Sequence, residues 1–454
     1  MFINLLRYRM FQKLKNLYQS VFFHPNFYRI WAVIILILFL GYWFPVLFII
    51  GKFLFTAFVT VSLIDFVYLW KGGQLKVERI LPEKLSNGDH NPVQILLEHT
   101  YRYPLQLNLI DELPEQFQKR DFELQFNMRA SQTAKTYYLR PVKRGVYRFG
   151  KLHVFMASPL RLAMRRQSFE QPKHVKVYPS FIQMRKYELI ALANKSHLGV
   201  KKIRRLGHTM EFEHIKEYNK GDDYRTINWK ATAKHNKLMV NQYQDEKSQN
   251  IYSVIDMGRV MKLPFNRMTL LDYAINSTLA IANIAIKKKD KPGLITFEKK
   301  VESFLKPDSN RKHLHQIFEH LYAQQTRFNE TDFEHLYKFV RNNVPTRSLL
   351  MLYTNFEHIN SLKRQLPFLK KLAKKHLLVV IIFENTELNQ IIRKKAQERN
   401  SLYHKIIAED FAWQKRMMIK ELRLHNIQSI LTAPEHLTTA SINKYLQLKA
   451  KGLI

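Results

Sequence analysis

The first pattern along the chain is a long apolar run near its start. From Ile30 to Trp70 the only charged residues are Lys52 and Asp65, and this length suits two membrane spans of about 20 residues each. Glycine, proline and aromatic residues interrupt the run between residues 42 and 52, as in a turn at a membrane surface. We therefore predict two transmembrane helices within residues 30–70.

The residues around the apolar run predict its orientation. Residues 1–29 carry five lysines and arginines and no acidic residue, which favours a cytoplasmic N-terminus. A hairpin returns the chain to the same side, so the segments that follow are also expected in the cytoplasm. A cleaved signal peptide is the competing interpretation, but the apolar run is too long for one. Asp65 is either a functional group inside the second span or a carboxylate that reaches the interface.

Residues 74–180 alternate between apolar and polar positions with the period of half-buried strands. The clearest runs lie at 75–80, 105–109, 122–126, 136–139, 146–149, 152–156 and 174–178. Their spacing, with proline and glycine between them, predicts an all-β sandwich. Arg161, Arg165 and Arg166 form either a binding patch or a solvated face.

Residues 248–454 change to short apolar strands that alternate with amphipathic helices. Strands are predicted at 251–255, 294–297, 349–353, 377–383 and 427–431, and helices at 271–285, 309–324, 331–342, 359–375, 386–397 and 401–424. This alternation predicts an α/β domain with a mainly parallel sheet covered on both faces. Asp256 and Asn355 follow two of the strands and are expected at the ligand-binding edge of that sheet.

The composition narrows the possible functions. The chain has 73 Lys and Arg against 37 Asp and Glu, a net charge of +36, which favours nucleic acid, phospholipid head groups or an acidic protein surface as partner. With only 13 Gly and no Cys, glycine-rich phosphate loops, thiol nucleophiles and thiolate zinc sites are disfavoured. The sequence contains neither GxSxG nor a Walker A motif, so we predict no enzymatic activity and no cofactor.

The most unusual segment lies at residues 199–247, within which Ile215 to Glu246 is rich in polar turn residues. We expect Gly221 to permit a turn, Asp222 or Asp223 to cap a following helix and Arg225 to pair with one of these carboxylates. Ile227 and Trp229 are predicted to be buried apolar anchors at the junction between the two domains. A metal site is the alternative, formed with His208, Glu211, Glu213 and His214, but no HExxH spacing supports it.

This segment resembles the bacterial domain of unknown function 58 family, whose motif is similar to Y-x-x-G-D-x-x-R-x-I-x-W-x-x-x-A. The matching residues are Tyr218, Gly221, Asp222, Arg225, Ile227, Trp229 and Ala233. Upstream, Arg144, Gly145 and Tyr147 fit the family's R-G-x-Y pattern, and Ser158-Pro159-Leu160 resembles its D-P-L with Ser158 in place of Asp. The resemblance implies a membrane hairpin, a β-rich segment and a von Willebrand factor A-like (Rossmann-like) domain in the bacterial inner membrane. It also implies a MoxR-type AAA+ ATPase partner and no established catalytic activity.

The von Willebrand likeness raises the question of a metal. Metal-binding members use D-x-S-x-S, because a carboxylate and two hydroxyls are hard oxygen ligands for Mg²⁺. Here Asp256 is followed by Gly258, Arg259 and Val260, and Asn355 stands where an Asp is expected at a later strand end. We therefore expect no tightly held metal. Arg259 either presents a positive charge to a partner or is a solvated or internally paired side chain.

Together these observations predict a membrane-anchored adaptor that faces the cytoplasm, contacts the lipid bilayer and binds a MoxR-type ATPase or its client. A nucleic-acid-binding protein is the alternative, but the cations of residues 358–454 are mixed through amphipathic helices and form no known recognition motif. A hydrolase is less favoured still, because a nucleophile or metal set is missing.

Overall fold

The computed structural model describes residues 20–185, 210–219, 222, 224–245, 248–326, 328–393 and 399–454. The chain divides into two compact units, Met1–Tyr178 and Pro179–Ile454. Each unit is described by itself below.

The first unit begins with two apolar helices, α1 (Pro25–Leu40) and α2 (Pro45–Lys71). In the described part of the chain, α2 is long and apolar enough to cross a membrane, whereas α1 is a shorter apolar helix. The prediction of two spans of about 20 residues each is therefore wrong in length, because α1 has 16 residues and α2 has 27. The turn lies near the start of the predicted break, because Pro45 suits the first position of α2.

The two helices pack closely where glycine removes a side chain. A Cβ on Gly51 would lie 2.6 Å from the Leu38 Cδ2 atom, and one on Gly41 would lie 2.8 Å from the backbone of Phe48. Gly51 was expected in the break between the two spans, but it lies inside α2 and permits this contact. Most other side chains of the pair are large, apolar and exposed.

The rest of the first unit consists of eleven strands. They are β1 Val21–Phe23, β2 Leu75–Ile80, β3 Lys84–Ser86, β4 Asn91–His99, β5 Leu105–Asp111, β6 Glu123–Met128, β7 Gln132–Leu139, β8 Gly145–Phe149, β9 Leu152–Ala157, β10 Ala163–Phe169 and β11 Lys173–Tyr178. They form three sheets with the strand orders β1-β10-β9-β5-β6, β2-β4-β7 and β3-β11-β8. Alternate residues of these strands contribute to one apolar core. Each of the seven predicted runs overlaps a strand, but β3, β4 and β10 were not predicted. The strand β1, from the basic N-terminal segment, adds an unexpected edge strand.

A buried ion pair links two of these sheets. The Arg79 Nη1 atom of β2 lies 2.5 Å from the Asp111 Oδ1 atom of β5, and the two side chains are almost fully buried. The Tyr137 hydroxyl of β7 donates to the other Asp111 oxygen, and Arg79 Nη2 donates to the Gly150 carbonyl at 2.9 Å. Burial raises the pKa of Asp111, while Arg79 and Tyr137 lower it. Removing one member would leave the other polar groups buried without partners.

The second unit contains a six-stranded sheet with helices on both faces. Its strands are β14 Asn250–Asp256, β17 Lys291–Phe297, β18 Val301–Leu305, β19 Leu349–Tyr353, β20 Leu377–Phe383 and β21 Gln428–Thr432, and a hairpin of β15 Pro264–Phe265 and β16 Met268–Thr269 lies beside it. The sheet order is β18-β17-β14-β19-β20-β21. All neighbours are parallel except β17 and β18.

Seven helices surround this sheet: α4 Leu270–Lys287, α5 Arg311–Tyr322, α6 Phe333–Asn343, α7 Ile359–Lys375, α8 Thr386–Arg393, α9 Arg399–Leu424 and α10 Leu437–Ala450. Residues of α4, α5 and α10 join one apolar core, and residues of α6, α7 and α9 join another. Strand residues alternate between the cores, as Ile255 and Val254 do in β14. The prediction of a mainly parallel sheet covered on both faces is confirmed. The earlier segment with β12 (Met210–Glu217), α3 (Trp229–His235) and β13 (Met239–Asp245) is described with the site.

Candidate functional site

The carboxyl edge of the six-stranded sheet is organised around Asp256, at the end of β14. Asp256 is 1% exposed. Its Oδ1 atom accepts hydrogen bonds from the Gly258 N–H at 2.8 Å and the Thr331 hydroxyl at 2.6 Å. Its Oδ2 atom accepts one from the Thr354 hydroxyl at 2.6 Å. The carboxylate thus joins the ends of two strands to the loop before α6.

The electrostatics at this edge oppose ionisation of Asp256. Burial raises its pKa, and the nearby Glu298 carboxylate raises it further, while the three hydrogen-bond donors lower it. Glu298 follows β17, is itself buried, and accepts hydrogen bonds from the backbone and side-chain nitrogens of Asn329 at 3.3 and 3.0 Å. Both acidic groups therefore use their oxygens within the fold.

Gly258 is needed for the hydrogen bond from Thr331. A Cβ at residue 258 would lie 2.1 Å from the Thr331 Oγ1 atom. The hydroxyl that D-x-S-x-S places two residues after its Asp is thus replaced by one that arrives from residue 331. Sequence reasoning missed Thr331, because its distance along the chain gives no local signal.

Asn355, the second residue predicted at this edge, is held by a partly buried lysine. The Lys415 ammonium, from α9, donates to the Asn355 Oδ1 atom at 2.5 Å and to the Phe356 carbonyl at 2.6 Å. Burial lowers the pKa of Lys415 to about 8. A metal ligated by Asn355 would have to displace this ammonium, so the residues present do not fit a divalent cation. That the chain holds no tight metal stays a prediction.

Arg259 and Val260 have different surroundings from Asp256. The Arg259 guanidinium is exposed and lies 3.8 Å from the Glu330 carboxylate, a weak surface ion pair. Of the alternatives considered for Arg259, this contact agrees with a side chain that is paired within the protein. Val260 packs against the apolar core beside α4. The cation that contacts a predicted site residue is therefore the partly buried Lys415, which the sequence analysis did not identify.

We expect Gly258→Ala to lower the melting temperature of the full chain, because the added methyl displaces Thr331 from Asp256. Overpacking of this kind costs about 1–3 kcal/mol. Thermal unfolding should be compared for Gly258→Ala, Thr331→Ala and the double variant. Gly258→Ala should lower the melting temperature less in the Thr331→Ala protein than in the wild type. Equal decreases in the two proteins would contradict the steric explanation.

A second prediction concerns the pH dependence of stability. The pKa of Lys415 is lowered from an ordinary value of about 10.4 to about 8, so between these values the unfolded chain binds more protons. The free energy of unfolding should therefore rise with pH in this window for the wild type relative to Lys415→Met. Melting temperatures at several pH values across it provide the measurement. Lys420→Met, at an exposed position of α9, is the control, and parallel profiles for wild type and Lys415→Met would refute the assignment.

The second candidate site is the signature hairpin, formed by β12, α3, β13 and the residues between them. The strands β12 and β13 pair antiparallel, and a short 3₁₀ turn at Tyr224–Thr226 precedes α3. Tyr218 donates its backbone N–H to the Leu238 carbonyl at 2.8 Å. Gly221 and Asp223 lie outside the described residues, as does any ion pair between Asp223 and Arg225.

Asp222 does not cap the helix, contrary to the prediction. Its carboxylate accepts hydrogen bonds from Lys216 Nζ at 2.7 Å and from the Asn219 N–H at 3.0 Å. These two bonds lower the pKa of Asp222. Asn228 caps α3 instead, because its side chain accepts from the Ala231 N–H at 3.0 Å. Asn directly precedes the helix and is a preferred N-cap residue.

Trp229 is not a buried anchor, which is the main correction to the sequence analysis. It is 71% exposed, and Tyr224 is 68% exposed. Ile227 forms a backbone bridge with Val240, whereas Trp229 begins a helix of only seven residues. Trp229 is therefore a surface residue of the signature hairpin.

The surroundings of these aromatic rings are basic. Residues 224–238 include four lysines and arginines and no acidic residue. The Arg225 guanidinium lies 5.7 Å from the Tyr224 ring centroid, and Lys237 pairs with Glu217 at 2.9 Å. We call the exposed side chains of Tyr224, Trp229, Lys230 and Lys234 the signature surface. An aromatic surface of this charge suits an acidic partner.

The alternative metal site near this hairpin gains no support. The side chains of His208, Glu211, Glu213 and His214 lie outside the described residues. Among the residues that are described, no three His, Cys, Asp or Glu side chains group as metal ligands.

Comparison with known proteins supports the family resemblance. Residues 214–390 match the model of the family described as "Protein of unknown function DUF58". A curated relative, "Uncharacterized protein YeaD" of Bacillus subtilis (strain 168), is 23% identical over 240 residues, which cover 51% of this chain and 58% of the relative. The resemblance to the domain of unknown function 58 family is thus confirmed for this part of the chain. The match spans less than two thirds of the relative's length.

Solved structures give only distant similarities. BatB from Bacteroides thetaiotaomicron is 11% identical and matches over 44% of this chain and 100% of its own, with a TM-score of 0.26. The CARDB domain of PF1109 from Pyrococcus furiosus is 8% identical and matches over 24% of this chain and 90% of its own, with a TM-score of 0.17. Scores this low do not establish a shared fold.

Proposed function

We propose that this protein is a membrane-anchored adaptor that binds an acidic protein partner through the signature surface. The observation that carries the proposal is the exposure of Trp229 and Tyr224 within a segment that has cations and no acids. The apolar ring surfaces of exposed tryptophan and tyrosine are unfavourably hydrated in the free protein. At protein interfaces these two residue types are among those that contribute most of the binding free energy. The surrounding lysines would steer an acidic partner toward the two rings.

The partner we propose is a MoxR-type AAA+ ATPase or its client, as the family resemblance implies. The second unit would then serve as a von Willebrand factor A-like domain. In that domain the usual metal would be replaced by fixed groups, because Lys415 supplies a cation to Asn355 and two threonine hydroxyls hold Asp256. Binding would therefore not depend on Mg²⁺.

The anchor we propose is the α1–α2 pair, inserted as a hairpin into the bacterial inner membrane with the remainder in the cytoplasm. Two features support it: the large apolar side chains of the pair are mostly exposed, and residues 1–29 contain cations but no acids. A surface so apolar is unsuited to water. The first helix is short at 16 residues, so its ends would need to lie near the interfaces.

Trp229→Ala should weaken partner binding strongly without unfolding the chain. Because Trp229 is exposed, its removal should change stability by no more than about 0.5 kcal/mol. If it is an interface hot spot, affinity should fall about thirtyfold, from a loss of roughly 2 kcal/mol. The measurement is co-purification of the full-length chain with a MoxR-type ATPase produced in the same cells, together with melting curves.

Trp413→Ala is the matched control for this experiment. Trp413 lies in α9 and is 54% exposed, so its loss removes a similar side chain from outside the signature surface. Binding should survive in this variant and should weaken with added salt in the wild type. Retained binding by Trp229→Ala, or equal losses in both variants, would contradict the proposal. Specific retention of DNA by the wild type would favour the nucleic-acid alternative instead.

The topology of the anchor gives a separate prediction. Reporter domains fused after residue 29 and after residue 75 should both report a cytoplasmic location, because a hairpin returns the chain to its starting side. A fusion after residue 43, in the turn between α1 and α2, should report the opposite side. A periplasmic signal from the fusion after residue 75 would refute the hairpin.

A further inference from the structure

The apolar helix α2 carries one buried carboxylate that the proposed function does not use. Asp65 is 3% exposed, and it accepts hydrogen bonds from the backbone N–H groups of Leu160 at 3.1 Å and Leu162 at 3.3 Å. These two hydrogen bonds give Asp65 a structural role in addition to the functional and interfacial alternatives considered for it. Asp65 fixes a loop of the β-rich unit against α2.

The loop, residues 158–162, is held firmly from its other side as well. Ser158 Oγ accepts from the N–H groups of Leu162 and Ala163, both at 3.1 Å, and the Leu162 carbonyl accepts from the His24 N–H at 3.0 Å. Arg161 has a φ of 58°, a left-handed conformation that costs energy for a residue with a side chain. The loop is thus rigid and locally strained.

This arrangement exposes Leu160 next to the apolar helix. Leu160 is 56% exposed. It borders a cleft of about 340 Å³, whose other lining residues are Val61, Ile64, Asp65, Tyr68 and Pro159. Asp65 lies six residues before Lys71, where α2 ends, which is about 9 Å along a helix. That is the depth of the boundary between acyl chains and head groups if α2 crosses the bilayer.

Two exposed arginines belong to the two elements that meet here. Arg161 lies in the loop itself, and Arg29 lies near the start of α1, where the preceding His24 donates its N–H to the Leu162 carbonyl. Burial lowers the pKa of His24, and the positive charges of Arg161 and Arg29 lower it further. In the described part of the chain neither guanidinium group has a hydrogen-bond or ion-pair partner, although the Arg161 backbone N–H donates to the Ser158 carbonyl at 3.0 Å. Arg165 and Arg166 differ, because they stack on Trp70 at 4.2 Å and on Phe22 at 5.6 Å.

We propose that residues 158–162 form a lipid-binding loop in which Leu160 inserts among acyl chains and Arg161, with Arg29, binds the phosphate of an anionic phospholipid. The apolar cleft is continuous with the lipid-facing surface of α2, and the unpaired guanidinium groups complement a phosphate. The inference rests on the proposed membrane anchor. It adds that the β-rich unit itself touches the bilayer at a fixed point.

Insertion of Leu160 into the bilayer can be tested by fluorescence quenching. Because the chain has no cysteine, a single introduced cysteine can be labelled selectively. Leu160→Cys in the full-length protein is labelled with an environment-sensitive fluorophore in phospholipid nanodiscs that contain acyl-chain spin labels. We expect strong quenching at residue 160 and none at Tyr138→Cys, a 59% exposed position in β7. Phe55→Cys, within α2, is the positive control.

The pattern of quenching separates the two proposals. An unquenched probe at residue 160 with a quenched probe at residue 55 would overturn the lipid-binding loop while leaving the anchor in place. Unquenched probes at both residues would overturn the anchor and the loop together.

Head-group binding is tested by retained lipid. The full-length protein, extracted from bilayers of phosphatidylcholine and phosphatidylglycerol, should retain phosphatidylglycerol preferentially. Arg161→Gln and Arg29→Gln should each reduce that preference about fivefold, the value for one arginine near an anionic surface. Arg148→Gln, at an exposed position in β8, should leave it unchanged. Equal retention by all three variants would overturn the role of the arginines.

Discussion

A buried carboxylate must find donors for its oxygens, and the fold of this protein depends on that constraint at several places, of which three are central here. Asp111 joins two sheets of the β-rich unit through Arg79 and Tyr137. Asp65 attaches a loop of the same unit to the apolar helix. Asp256 holds the carboxyl edge of the parallel sheet. In each place the donors come from distant parts of the chain, so each carboxylate fixes the geometry of several elements at once.

The polar side chains at the carboxyl edge of the sheet already have hydrogen-bond partners, which explains why the candidate binding surface lies elsewhere. At that edge Asp256, Glu298 and Asn355 already use their oxygens for partners within the fold. In the signature hairpin, by contrast, Tyr224 and Trp229 are largely exposed. Exposed aromatic rings add little to folding stability, so their presence in the matched family segment is better explained by binding.

Sequence periodicity predicted most of the α/β unit correctly, because buried strands and amphipathic helices have strong local signals. The strands at 349–353 and 377–383 and the helix at 359–375 have the predicted boundaries. The edge strand β18 was missed because it is short and mixes apolar with polar residues. The helix α10 was missed because its amphipathic pattern is weak. The signature motif was located, but not the exposure of its tryptophan, which depends on what packs above a short helix. Thr331 and Lys415 reach the candidate site only through tertiary contacts.

The hydrogen bonds of Asp256 also determine when the sheet edge can form during synthesis. Its donors Thr331 and Thr354 lie 75 and 98 residues further along the chain. At about 5–20 residues per second, the ribosome needs about 5–20 s to add that length. Until then the carboxylate has to stay hydrated, and β14 lacks its central neighbour β19. The nascent α/β unit therefore stays incomplete for seconds during synthesis, with apolar residues of β14 exposed in that interval.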